Sequence, residues 1–209
     1  MKAFTVHTGI AAPLPAENID TDVIIPMAPL MMTPRARLGE KAFLPIRYLK
    51  DGSENPDFVL NRAAFRNASV LVVGRNFGCG SSREGAVNAL EGLGISVIIA
   101  PTFGDIFYGN CIKNGVLPIQ LPEEDHAVAM HAAAEAAGHA PFHVDLPEQR
   151  ITLPDGTSIS FEIDPGHKER LLNGLDEIAL TATYRAEIAE YQAADRRTRP
   201  WIWSIEQNA

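Results

Sequence analysis

Ser69-Val70-Leu71-Val72-Val73 runs directly into Gly74-Arg75-Asn76-Phe77-Gly78-Cys79-Gly80-Ser81-Ser82-Arg83-Glu84, and this stretch decides the fold. A continuous β-branched run marks a strand buried on both faces, because side chains pointing either way then meet apolar neighbours. On its C-terminal side, Gly85 to Leu93 predicts a short helix ended by Gly92 and Gly94, and Ile95 to Ala100 a second buried strand. Phe103 to Asn114 predicts a helix with Gly115 as a left-handed C-cap, and Val116 to Leu121 a third strand. Strand, loop, helix, strand, helix, strand implies an α/β fold: a parallel or mixed sheet with right-handed crossovers.

Toward the N-terminus, Phe4 to Gly9 is β-prone and can start a sheet. Ala11 to Asp22 carries Pro13, Pro15 and Asn18-Ile19-Asp20-Thr21-Asp22, which reads as a shaped turn because Asn, Asp and Thr bind their own backbone well. Val23-Ile24-Ile25-Pro26 is a brief apolar anchor. Residues 27–57, punctuated by Pro29, Pro34, Pro45 and Pro56, lack periodicity and are expected to form a long loop, mobile when the chain is alone. Toward the C-terminus, Pro122 to Gly138 predicts an alanine-rich helix capped by its early carboxylates. Phe142 to Leu146, Arg150 to Leu153 and Ser158 to Ile163 alternate as a small antiparallel meander, with a hairpin at Asp155-Gly156. His167 to Asn173 is a helix stopped by Gly174, Ala179 to Thr183 is open between states, and Tyr184 to Arg197 is a final amphipathic helix. Pro200-Trp201-Ile202-Trp203 exposes two indoles unless it docks.

The chain has 209 residues, 46% hydrophobic and 21% charged, enough to bury one sizeable core and incompatible with disorder as the main state. It reads as a single domain over 1–209 with a helical tail at 184–209. A formal net charge of -8 argues against a broad nucleic-acid or anionic-membrane surface. Two cysteines, Cys79 and Cys111, are too few for a disulfide scaffold and indicate reduced thiols. The N-terminus lacks an apolar leader, and the run Val23 to Met32 falls short of the ~18 residues of a membrane span. The expected location is the cytoplasm.

Chemistry concentrates between Gly74 and Glu84. Glycine lets the backbone bend and a ligand approach, and the following helix N-terminus offers free N–H groups and positive dipole potential. With Ser81 and Ser82 at the first turn and Arg83 inside it, this is an anion site. A phosphate loop needs a Lys before the hydroxyl, where Gly80 stands; a dinucleotide loop needs a glycine where Arg83 stands; and Gly80-Ser81-Ser82-Arg83 does not fit a hydrolase elbow. A carboxylate, which Arg can hold with two parallel hydrogen bonds, is left.

Gly78-Cys79-Gly80-Ser81-Ser82-Arg83-Glu84 resembles the signature of the aconitase superfamily's swivelling domain, and Asn18-Ile19-Asp20-Thr21-Asp22-Val23-Ile24-Ile25-Pro26 resembles that of one branch, the small subunits of 3-isopropylmalate dehydratase. Asn55-Pro56-Asp57-Phe58-Val59-Leu60, Asp105-Ile106-Phe107-Tyr108-Gly109-Asn110 and Asn173-Gly174-Leu175-Asp176 agree, so the resemblance covers nearly the whole chain. It implies a swivelling β/β/α domain: a central mixed sheet flanked by helices, plus the meander. It also implies a large-subunit partner carrying a [4Fe–4S] cluster on three cysteines, whose open iron acts as a Lewis acid on a small dicarboxylate. Two distant cysteines in this chain cannot hold such a cluster. The resemblance makes Ser81 the base, stabilised as an oxyanion by the surrounding backbone. Ser82 would cap the helix, donate to that oxyanion hole and help bind substrate, Arg83 would grip a substrate carboxylate, and Glu84 would orient Arg83 or cap the helix. Asp20, Thr21, Asp22, Gly78 and Gly80 would shape the cleft, while Arg35 and Arg37 would sit on a loop that covers the substrate's side chain and sets specificity.

The implied reaction interconverts 2- and 3-isopropylmalate by dehydration and rehydration in leucine synthesis, with the chain inactive alone. The sequence departs from the family pattern twice. Gly85 stands where the family carries His, and Arg35-Ala36-Arg37-Leu38-Gly39 replaces Arg-Thr-Gly-Phe-Gly. These departures keep open a paralogous hydro-lyase acting on citraconate or dimethylmalate. A further alternative is an anion-binding module without catalysis. His126 and His131 are expected on a solvated helix surface, and Tyr108, Trp201 and Trp203 in packing roles.

Overall fold

Two four-stranded sheets frame the first compact unit, Met1–Gly174, of a computed structural model that describes residues 1–81 and 83–203. β1 (Val6–Gly9) leads into β2 (Ala11–Leu14). Two short helices follow, α1 (Thr21–Ile24) and α2 (Met27–Met32), then a 3-10 segment, Arg35–Lys41, and α3 (Leu44–Arg47). The alternating part is β3 (Val70–Val73), α4 (Glu84–Gly92), β4 (Val97–Ala100), α5 (Asp105–Asn114), β5 (Leu117–Gln120) and α6 (Glu123–Ala136). β6 (Phe142–Asp145), β7 (Arg150–Thr152), β8 (Ser158–Ser160) and α7 (Pro165–Asn173) complete the unit.

The central sheet has the order β2-β3-β4-β5 and is parallel throughout. The antiparallel pairing that would make it mixed sits in a second sheet, β1-β6-β7-β8, because the meander pairs with β1. β2 lies where the sequence reads only a turn, since Pro13 argues against an interior strand. Proline lacks the N–H that a central strand must donate, so it is tolerated only at a sheet edge. Pro13 in β2 and Pro118 in β5 occupy the two edge strands of this sheet.

The β-branched runs separate two cores. Leu71, Val73, Ile98 and Ala100 pack with Ala86, Val87 and Leu90 of α4 and with Phe77 and Phe107. Val70, Val72, Val97, Ile99, Leu117 and Ile119 face the opposite way, onto Ala129 and Ala133 of α6 and onto Phe142, Val144, Ile151 and Ile159 of the second sheet. Each fully buried Val, Leu or Ile contributes roughly 1.5–3 kcal/mol of apolar transfer, which holds the sheet between its two layers.

Residues 27–57 form short helical pieces rather than one loop. Pro26 precedes α2, Pro34 precedes the 3-10 segment, and Pro45 sits in the first turn of α3. A proline at a helix start forfeits no hydrogen bond, because the first N–H groups have no intrahelical partner anyway. Leu38, Ala42 and Phe43 of this stretch are buried.

The second unit, Leu175–Ala209, holds α8 (Glu177–Thr183), α9 (Arg185–Thr198) and α10 (Pro200–Trp203). The residues left open at Ala179–Thr183 are helical, capped by Asp176, which accepts from the Ala179 amide at 2.7 Å. Asp195 accepts from Arg199 Nε at 2.5 Å and from Trp203 Nε1 at 3.0 Å. The Trp201 indole is 66% exposed. The last six residues of the expected tail, 204–209, lie outside the described residues.

Candidate active site

The Gly-rich loop starts at the carboxyl end of β3 and ends at the N-terminus of α4. Phe77 anchors it in the core: it is fully buried, bridges to Phe103 and packs edge-on against Phe107 at 5.4 Å. Gly78 takes φ +71°, and a Cβ there would stand 2.2 Å from the Phe107 ring, so only glycine fits. Gly80 takes φ +82° beside Asp20. The loop is thus bent twice over an aromatic floor, and Ser81 emerges exposed at its tip.

The 18–22 segment lies alongside. Asp20 bridges to Cys79, the Gly78 amide donates to the Ile19 carbonyl at 2.7 Å, and the Thr21 amide to the Cys79 carbonyl at 3.2 Å. Buried Thr21 donates its hydroxyl to the Ser81 carbonyl at 2.6 Å. Asp20 caps α1, accepting from the Val23 amide at 2.8 Å. Asp20 and Thr21 therefore brace the loop backbone and leave the Ser81 hydroxyl free of that task. Among the described residues, none accepts from the amides of Gly80 or Ser81, which keeps both donors available to an oxyanion.

Arg83 is the cap residue of α4 in extended conformation, not part of its first turn as expected, and it makes no side-chain cap. Its side chain is 16% exposed and grips Asp22 at two points, Nη1 to Oδ1 at 2.5 Å and Nη2 to Oδ2 at 3.0 Å. The Arg83 hydrogen bond holds the Asp22 carboxyl below the usual carboxylate range, and Asp22 in turn raises the Arg83 guanidinium. Asp22 orients Arg83, the task expected of Glu84. Glu84 instead accepts from Asn114 Nδ2 at 3.2 Å, on α5. The cap role expected of Ser82 falls on a residue outside the described ones.

The loop arginines are placed elsewhere. Arg35 donates to Asn114 Oδ1 at 3.1 Å and approaches Glu91 at 3.8 Å, so it reaches the α4 face beside Glu84 through Asn114. Arg37 forms a two-point pair with Glu40, both bonds 2.8 Å, and its side chain is 66% exposed. The structure brings Asp20, Thr21, Asp22, Gly78, Gly80, Ser81 and Arg83 together and leaves Arg37 outside that group. Asn114 is the connection sequence reading misses; no motif marks it, because the link is made between the far end of one helix and the start of another.

Cys111 is fully buried and burial raises its thiol well above the ordinary value, so it stays a neutral core residue. His126 also departs from expectation. It is buried, and its Nε2 lies 2.7 Å from the Val73 carbonyl, tying α6 to the end of β3. A cleft of about 740 Å³ lined by Arg75, Thr102, Gln120, Glu123 and Phe161 opens at the carboxyl ends of the parallel strands, apart from Ser81 and Arg83.

A parallel sheet whose β3–α4 loop presents Ser81 and a carboxylate-gripping arginine at a helix start defines a class. Residues 1–124 match the model of the aconitase C-terminal domain, and residues 130–165 match the LeuD_N model. The chain is 52% identical to the 3-isopropylmalate dehydratase small subunit of Rhodospirillum centenum, over 96% of this chain and 98% of that one. It is 52% identical to the subunit of the same name from Dinoroseobacter shibae, over 97% and 100%. The crystal structure of 3-isopropylmalate dehydratase (leuD) from Methanocaldococcus jannaschii superposes with a TM-score of 0.64 at 25% identity, over 89% of this chain and 99% of that one. The chain belongs to the family of 3-isopropylmalate dehydratase small subunits.

Proposed function

We propose that this chain is the small subunit of a hydro-lyase that isomerises 2- and 3-isopropylmalate in leucine biosynthesis. The observation that carries the reading is the two-point grip of Arg83 on a carboxylate, two residues from exposed Ser81. The full-length kinship supports it and favours isopropylmalate over the paralogous citraconate or dimethylmalate reading.

Arg83 holds one carboxylate of the substrate in the geometry it now offers Asp22, fixing the adjacent carbon against Ser81. The Ser81 Oγ accepts the proton from that carbon while the hydroxyl departs from its neighbour, leaving an unsaturated dicarboxylate. Water then re-adds in the opposite sense as Ser81 returns a proton. A serine hydroxyl is a weak acid, so its oxyanion form depends on the Gly80 and Ser81 amides and on the N-terminal dipole of α4. The hydroxyl's departure needs a Lewis acid, which a [4Fe–4S] cluster on the large subunit supplies when bound. Among the described residues, no three His, Cys, Asp or Glu side chains gather to hold a metal. In this reading catalysis takes place in the cytoplasm, in a heteromer in which the large subunit covers the Ser81 loop.

Reconstitution tests the reading. Mixed with the large subunit, the wild-type chain isomerises 2-isopropylmalate. Ser81→Ala lowers kcat by at least about 100-fold, the scale of a lost proton-transfer group, while co-purification of the two subunits persists. An unchanged rate sinks the base assignment, and a mixture that only binds dicarboxylates favours the anion-binding module.

A further inference from the structure

Five non-glycine residues take a left-handed backbone among the described ones, and two of them, Asn18 (φ +56°) and Asn76 (φ +60°), are bonded to each other. Asn76 Nδ2 donates to Asn18 Oδ1 at 2.8 Å, across 58 positions of sequence. A left-handed φ is costly for most side chains and is tolerated best by Gly, Asn and Asp, so asparagine suits both places for its turn as well as for its amide. Each asparagine is also tied down through its own backbone. The Asn18 amide donates to the Arg75 carbonyl at 2.9 Å, and the Asn76 amide to Thr102 Oγ1 at 2.9 Å. Just before the pair the two segments touch. A Cβ built on Gly74 would stand 2.4 Å from the Ala16 carbonyl oxygen and 2.6 Å from that of Pro15, so glycine is what lets residues 15–16 cross the end of β3.

The clasp stands at the root of both segments that build the site. Past Asn18 the chain reaches Asp20, which caps α1, then Thr21, which holds the Ser81 carbonyl, and Asp22, which holds Arg83. Past Asn76 it reaches buried Phe77, then Gly78 and the Ser81 loop. From there the segments are joined by the backbone bonds of Gly78 to Ile19 and of Thr21 to Cys79. Those bonds fix how closely the segments lie. The side-chain bond between the two turning points fixes the direction in which each segment leaves its turn, and hence where Asp22 meets Arg83. We propose that Asn18 and Asn76 are positioning residues for the reaction: their mutual hydrogen bond aims Asp22, and through it Arg83, at the place of the substrate carboxylate. They act through Arg83 and not on the reacting atoms. The inference rests on the functional reading above and adds what sets the aim of its arginine.

The test uses the reconstituted pair of subunits with 2-isopropylmalate. Asn18→Gly and Asn76→Gly keep the left-handed turns and remove the bond; each raises KM about 10-fold, within the roughly 100-fold that a misplaced group can cost. A variant that merely folds less well lowers the apparent kcat and leaves KM as it was. The double glycine variant loses no more than either single, because both act through one contact. Aspartate then separates acceptor from donor. Asn18→Asp keeps an oxygen for the Asn76 amide and restores a KM near that of the wild type, whereas Asn76→Asp sets a carboxylate against the Asn18 oxygen and raises KM as far as Asn76→Gly does. Should a glycine variant fail to bind the large subunit, the two aspartate variants decide the matter. An unmoved KM in the glycine variants, additive losses in the double variant, or a KM for Asn76→Asp no higher than that for Asn18→Asp overturns the proposal while the functional reading stands. A wild-type pair inert on 2-isopropylmalate overturns the functional reading and this inference with it.

Discussion

At the scale of residues, the pair formed by Asp22 and Arg83 has a pH signature. Arg83 depresses the Asp22 carboxyl in the folded chain, so its contribution is complete above the unfolded value near pH 3.9 and fades as pH falls through the lower, folded value. Asp22→Asn should therefore lower the urea midpoint slightly at neutral pH, and the gap should close as acidification takes the carboxyl through its lowered folded value. The neutral-pH gap is small because the Asp22 side chain is 58% exposed and water screens it. A gap that widens on acidification contradicts the pairing. The presence of Ser81, Arg83 and Asp22 was legible in the sequence, but not that Asp22 would pair with Arg83. A contact across 61 positions leaves no local pattern.

At the scale of elements, the bend of the catalytic loop depends on the floor beneath it. Gly78→Ala forces a Cβ into the Phe107 ring at positive φ. Overpacking and backbone strain together should cost about 2 kcal/mol or more, read as a lower urea midpoint of the isolated chain; an unchanged midpoint would show that the loop tolerates a flatter path. The strands and helices from Val70 to Gln120 were readable because buried β-branched runs and glycine stops are local signals. β2 was not, since Pro13 reads as a breaker until its strand is known to lie at an edge. Nor were the short helices after Pro26, Pro34 and Pro45, where the same residue type starts an element that in other contexts it would end.

At the scale of the whole molecule, the proposed reaction requires a partner chain. Ser81 and Arg83 stand at an exposed loop, and no metal-ligand cluster exists among the described residues. The isolated chain should show no isomerase activity at any concentration, and activity should rise with added large subunit and saturate at a fixed ratio. Turnover by the chain alone would place the Lewis acid elsewhere than proposed.

The sequence by itself determined the α/β class, the order of the alternating elements and the serine and arginine of the loop. These rest on side-chain type and short-range periodicity, which act over a few residues. Only the tertiary structure decided that the central sheet is parallel from edge to edge, that Asp22 rather than Glu84 aims Arg83, that Arg37 turns away to Glu40, and that Leu30 fills the space Gly85 leaves. Each of these outcomes depends on which distant segment fits a given surface or charge best. That competition is settled by packing the whole chain, not by any stretch of it.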